Sequence, residues 1–233
     1  METVTMLTLL LGSGILSGDA MSGMSIEQLD PIVLEQQLSS EFKTKIESAF
    51  SSYDLNSDSS YQKFLDTTHF FNDRSYTPSD LESIQSDFTF NNARKFKLRK
   101  EAWEQFADMA RHFWSASNKK KKISITSTFR SYDFQKKMNG SCHAHHCAEA
   151  GTSEHQAGLA IDLGVNGRRL DSASFEWMRN NAHKRGFHNT YQKGVEIDGK
   201  MVEPWHWRYL GVRLATELYE KKMSFAEWYY QQK

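Results

Sequence analysis

Apolar and polar positions alternate with period two in three short stretches of the chain, and this alternation predicts three strands. In "LAIDLGV" Leu159, Ile161, Leu163 and Val165 fall on one parity, while Ala160, Asp162 and Gly164 fall on the other. In "ISITSTFR" Ile123 and Ile125 share one face, and Ser124, Thr126, Thr128 and Arg130 share the opposite one. In "PWHWRYLG" Trp205, Trp207 and Tyr209 oppose His206 and Arg208. Each strand should therefore set its apolar face on a core and gather its reactive groups on the other parity. Asp162, between the small Ala160 and Gly164, points away from that core with room for something to approach it.

A period near 3.6 marks the helices. "KLRKEAWEQFADMARHFWSAS" places Trp103, Phe106, Ala110 and Phe113 at helical spacing and predicts a helix that packs on the sheet. "DSASFEWMRNNAHKRG" carries Asp171 as a cap, basic residues in its last turn and Gly186 just past the end. Thr77, Pro78 and Asp80 predict one more helix start, with proline at the first helical position. "VEIDGKMV" predicts a hairpin around Asp198 and Gly199. Trp103, Trp114 and Trp177 lie in helical segments and read as packing groups.

The texture differs toward the N-terminus. "MLTLLLGSGIL", residues 6–16, has the length of a signal-peptide apolar segment, and Gly18 and Ala20 are small residues near a cleavage point, although "METVT" lacks a basic start. Residues 1–20 thus read as an export signal or apolar segment, which predicts an extracytoplasmic protein. The run falls short of the roughly 20 apolar residues that a membrane span needs. Residues 21–65 read as a polar helical spacer, with an amphipathic helix in "PIVLEQQLSSEFKTKIESAF" and a break at "DLNSDSS"; residues 66–233 read as the main domain.

With 233 residues, the chain is long enough for one substantial domain and an appendage. Lys and Arg together number 29, as do Asp and Glu, so net charge draws the protein toward neither nucleic acid nor an anionic membrane. The lysine run 119–122 has no interleaved aromatics and reads as a solvated turn. Six Trp, nine Tyr and fifteen Phe suit a packed domain or a ligand cleft.

The chemistry follows from combining the polar faces. His155, Asp162 and His206 make a two-histidine, one-carboxylate set, which suits a zinc ion that keeps a fourth position open. Glu203 stands three residues before His206, with Pro204 between them. A plain strand would place positions 203 and 206 on opposite faces, so a bend at Pro204 is needed to turn Glu203 toward the open position as a proton shuttle. Trp205 and Trp207 flank the ligand, where they can pack the strand and wall a cleft. A histidine alone is seldom a ligand. The composite S-x-H-x-x-G-x-A-x-D, followed about 40 residues later by E-P-W-H, carries the reading.

"TSEHQAGLAIDLG", "RGFHNTYQKG" and "EPWHWRYLG", preceded by "STFRSYDFQ", resemble the VanY-like D-alanyl-D-alanine carboxypeptidases, from roughly Tyr76 to Gly211. These are zinc peptidases that share a fold with hedgehog signalling domains and lysostaphin-type enzymes. The resemblance implies one catalytic Zn2+ held by His155, Asp162 and His206, with Glu203 as general base and acid. It also implies that Arg130 meets the carboxylate at the substrate's C-terminus, and that Ser131, Gln135, Ser153 and Trp205 line the substrate cleft. The fold implied is α+β, a small antiparallel sheet with helices packed on one side and the zinc cleft on the other. The partner implied is a peptidoglycan stem peptide, from which a terminal D-alanine is removed. A cell-wall endopeptidase of phage-lysin type and a non-catalytic zinc-stabilised wall-peptide-binding module are the alternatives. The chain departs from the family in "AEAG", where a proline and glycine are usual, and in "CHAHHC". There Cys142 and Cys147 flank His143, His145 and His146, which leaves three readings: a disulfide-closed rim loop, a second metal site or a solvated loop. An oxidising compartment favours the disulfide, and a cytosol the second metal.

Overall fold

The alternating stretch around Asp162 becomes β4 (Ala160–Val165), an inner strand of a five-stranded sheet. The computed structural model describes residues 53–90, 96–142, 147–194 and 199–232. In chain order the elements are β1 (Leu81–Ser83), β2 (Lys97–Arg99), α1 (Lys100–Ala116), β3 (Ile123–Ser127), α2 (Tyr132–Asn139) and β4. After them come β5 (Arg168–Arg169), α3 (Ser172–Asn181), a 3-10 turn (Ala182–Arg185), β6 (Phe187–Asn189), β7 (His206–Tyr209), α4 (Val212–Lys221) and α5 (Phe225–Gln231). The five-stranded sheet runs β3-β4-β7-β6 with β5 paired to β4, β1 and β2 form a separate two-stranded sheet, and the pairings between these named strands are antiparallel.

Register turns the sequence pattern into two faces. Ile161 pairs with Trp207, and Ile125 with Leu163; all four are buried in the core with Ala102, Phe106, Met109, Ala110 and Phe113 of α1. Trp177 of α3 meets Phe113 edge-on, with ring centroids 5.1 Å apart. Asp162 pairs with His206 and Ala160 with Arg208, so the reactive parity forms the other face. The fold is α+β, as expected. That second face is covered as well, because every residue of β4 is buried. The space beside Gly164 is filled by the protein itself: a Cβ there would lie 2.2 Å from the Arg168 carbonyl oxygen. The intervening turn, Asn166–Gly167, has φ of 49° and 75°, the left-handed pair that tightens a two-residue hairpin.

Three expectations change. Thr77 and Pro78 start no helix. The Asp80 carboxylate accepts from Arg99 Nε at 2.8 Å and from the Tyr61 hydroxyl at 3.1 Å, and its carbonyl accepts from Lys100 N. Those bonds hold the segment beside β2, where it continues as β1. The strand after the lysine run ends at Ser127 with a register shift between Ile125 and Ser127, so Thr128 and Arg130 lie in the following loop rather than on the strand's polar parity. Residues 54–65, expected to end a spacer, belong to the compact unit Asp54–Lys233. Phe64 is buried and stacks on Tyr229, with centroids 3.8 Å apart.

α4 and α5 add a C-terminal helical pair, with Phe225, Trp228 and Tyr229 buried. α5 starts with a capping box in which Ser224 and Glu227 bond each other's backbone N–H. The apolar run 6–16 and the amphipathic helix near 31–50 lie outside the described residues, as does the 195–198 part of the hairpin expected at Asp198 and Gly199. Among the described residues, no helix is long and apolar enough to cross a membrane.

Candidate metal centre

His155 lies on a loop made of two successive turns, in which Gln156 N bonds the Ser153 carbonyl and Gly158 N bonds the His155 carbonyl. Gly158 closes the second turn at φ 67°, and a Cβ there would come within 2.8 Å of Leu81 Cδ2. Only glycine permits both this backbone angle and the close approach of β1. Gln156 is fully buried and anchors the loop by donating to the Arg74 and Tyr76 carbonyls.

Three side chains converge. The His155 Nε2 lies 3.3 Å from Asp162 Oδ1, and His206 Nδ1 lies 3.1 Å from the same oxygen. The ligand-type atoms of His155, Asp162 and His206 all fall within 4.8 Å of one another, and all three residues are buried. Their outer atoms are committed elsewhere. His155 Nδ1 sits 2.8 Å from the Thr128 carbonyl, which can only accept, so Nδ1 carries the proton and Nε2 keeps its lone pair. His206 Nε2 sits 2.8 Å from Glu154 Oε2, which leaves Nδ1 facing the cluster. The donor set fits a metal ion: two imidazoles oriented by hydrogen bonds and one carboxylate oxygen, shielded from solvent.

The electrostatics agree with this geometry. Burial alone would raise the Asp162 carboxyl, but His155 and then His206 hold it well below the usual carboxylate range. Burial pushes His155 below its ordinary value against the attraction of Asp162, which favours the neutral form that a ligand needs. Burial opposes charge on His206 too, yet its hydrogen bonds to Asp162 and Glu154 raise it, so metal entry has to displace a proton there.

Arg130 follows β3 and is tied to His155 by a backbone hydrogen bond to the His155 carbonyl. Its Nη2 donates to Asp162 Oδ2 at 3.1 Å, Nε to Ser127 Oγ at 2.9 Å, and Nη1 to Gln135 Oε1 at 3.4 Å. A guanidinium has five N–H groups. Two of them, one on each terminal nitrogen, have no partner among the described residues. Glu203 Oε2 lies 3.9 Å from His206 Nδ1. The bend expected at Pro204 is a turn in which His206 N bonds the Glu203 carbonyl, and Asn189 Nδ2 pins both ends by donating to the Glu203 and His206 carbonyls. Burial raises the Glu203 carboxyl above its ordinary value, against the attraction of His206.

A cavity of about 200 Å³ opens on this cluster, and Arg130, Ser153, Tyr191, Lys200, Glu203 and Trp205 line it together with the three converging residues. Ser153 and Trp205 line it, whereas the Ser131 hydroxyl caps α2 by accepting from Phe134 N. Gln135 is fully buried behind the wall, bonding Arg130 on one side and the Ala148 carbonyl on the other. It orients Arg130 rather than lining the cleft. Cys142 and Cys147 are joined in a disulfide, which removes both thiolates from a second metal site. His143, His145 and His146 lie outside the described residues.

The profile of the VanY family, described as D-alanyl-D-alanine carboxypeptidase, matches residues 95–212, the stretch that holds this whole cluster. The chain belongs to the VanY family. It is 33% identical over 171 residues to the Bacillus subtilis protein YodJ, covering 66% of this chain and 62% of YodJ. Among solved structures it is similar to the LdcB LD-carboxypeptidase, with a TM-score of 0.62 and 28% identity, covering 74% of this chain and 86% of that one. A VanY D,D-pentapeptidase of a VanB-type resistance cassette, solved in complex with Zn(II), shares the VanY fold at a TM-score of 0.56 and 21% identity, covering 70% and 96%.

Sequence reasoning missed Glu154, the residue that holds His206. It is 3% exposed, accepts from Thr190 Oγ1 at 2.8 Å, and lies 3.5 Å from Nη1 of the fully buried Arg208. Burial would raise its carboxyl, but Arg208 and the His206 hydrogen bond hold it at about 2. Position 154, next to the first histidine, was the available signal. Tyr191, with its ring centroid 4.9 Å from that of His206, was missed too.

Proposed function

We propose that the protein is a zinc carboxypeptidase that removes the terminal D-alanine from peptidoglycan stem peptides. The observation that carries this reading is Arg130, which reaches the Asp162 carboxylate with one edge and keeps two N–H groups free beside the cavity. His155 Nε2, Asp162 Oδ1 and His206 Nδ1 would hold the ion. Bound there, zinc would polarise the scissile carbonyl and make water nucleophilic at neutral pH.

The remaining work falls to the chain's own groups. The two free N–H groups of Arg130 grip the terminal carboxylate in parallel. Glu203 takes a proton from the attacking water and delivers it to the leaving amine as the peptide bond breaks. Its raised pKa suits both halves of that transfer. Ser153 and Trp205 wall the cavity and exclude bulk water. A pure binding module has no use for such a proton shuttle. The substrate and the disulfide both fit action outside the cytoplasm.

Arg130→Lys should lower kcat/KM for a peptide ending in D-Ala-D-Ala by at least about tenfold with metal content unchanged, because a point charge cannot reproduce a planar pair of donors. Amidating the substrate's C-terminus should cost the wild type a similar factor and cost the variant little more, since both changes remove one interaction. Equal cleavage of amidated and free-acid peptides by the wild type would replace this reading with an endopeptidase.

A further inference from the structure

The cavity contains a second cation that the chemistry above does not use. Lys200 lines it, is 9% exposed, and donates from Nζ to the Cys147 carbonyl at 2.8 Å. An ammonium has three N–H donors and no acceptor. The other two have no partner among the described residues. The Glu203 carboxylate on the same cavity attracts it, but no carboxylate among the described residues bonds it, and a carbonyl dipole offsets only part of the cost of burying an ammonium. The position is also held in place. Cys147 is fixed by its disulfide to Cys142, and the next residue's carbonyl accepts from Gln135 Nε2, the side chain that orients Arg130. Lys200 and Arg130 are thus two cations set on one frame, facing one cavity of about 200 Å³.

We propose that Lys200 is a specificity-determining residue that takes a second carboxylate of the peptide, one on a side chain near the cut, while Arg130 takes the terminal one. This rests on the carboxypeptidase reading and narrows its substrate class. A stem peptide whose diamino acid carries a carboxylate at its far end, as diaminopimelate does, is favoured. Its lysine counterpart presents only an ammonium to Lys200 and is disfavoured by like-charge repulsion.

The test uses three peptides that differ at one group: the diamino residue is diaminopimelate, diaminopimelate amidated at its side-chain carboxylate, or lysine. The wild type should prefer the first over the other two by roughly tenfold or more in kcat/KM, mostly through KM, the size expected of one charge-assisted hydrogen bond. Lys200→Met and Lys200→Gln should erase most of that preference, and Lys200→Arg should keep much of it. Equilibrium binding of the same peptides to the full-length Glu203→Gln protein, with and without Lys200→Met, reads the preference without turnover. If the wild type cuts none of the peptides, the carboxypeptidase reading fails, and this binding measurement still decides the role of Lys200. An unchanged preference in both neutral variants, or equal binding of the three peptides, overturns the proposal.

Discussion

Replacing Glu203 by glutamine is expected to lower turnover at least about a hundredfold while leaving metal content unchanged. The substitution keeps the side chain's size and its place in the turn, since that turn is held through backbone carbonyls by Asn189. Glu203 is not one of the three converging ligand-type groups, and its carboxylate lies 3.9 Å from His206 Nδ1, too far for a hydrogen bond. What the amide loses is the capacity to accept and return a proton. Steady-state kinetics beside metal analysis of the same preparation check this. Near-normal turnover would mean that another group activates the water, and loss of metal would mean that Glu203 helps to hold it.

Glu154→Ala should destabilise the protein by about 3–5 kcal/mol, the usual cost of breaking a buried ion pair by removing one partner. Arg208 is fully buried, and its Nη1 has no hydrogen bond, so Glu154 is the counter-charge that makes its burial tolerable. The carbonyls of Tyr61 and Lys63 accept from Nη2 but bring no charge. The same substitution frees His206 Nε2, so metal affinity should fall by roughly 10- to 100-fold, as when other outer partners of metal-bound histidines are removed. Denaturant unfolding of metal-free protein reads the first effect, and competition with a chelator reads the second. Glu154→Gln, which can still accept from His206, should recover more of the metal affinity than of the stability. An unfolding midpoint unchanged in Glu154→Ala would show that the carbonyls alone satisfy Arg208.

Two members of the cluster that could hold a metal were legible from strand patterns: Asp162 is the one acid in an apolar alternation, and His206 lies on the polar parity of a strand paired with it. The parity failed where the chain leaves regular strand. Arg130 reaches the cavity from a loop beyond an irregularity in β3, and Trp205, assigned to the face opposite His206, shares the cavity with it because residues 204 and 205 form a turn. Ser131 read as a cleft residue although a serine just before a helical run is also an N-cap, and the cap is what it provides. The capping box at Ser224 and Glu227 was readable as S-x-x-E and would have announced α5. Glu154 was hidden for another reason. Its role depends on His206 and Arg208, more than fifty positions later, which only the folded sheet brings to it.

Incubating the zinc-loaded protein with a defined stem pentapeptide ending in D-Ala-D-Ala and with the corresponding tetrapeptide, then weighing the products by mass spectrometry, tests the central claim most directly. The expected result is the loss of a single alanine from at least one of the two, absent when the C-terminus is amidated and absent for Glu203→Gln. Cleavage within the stem or at a crosslink, or intact peptides after incubation with metal-loaded wild type, would contradict it.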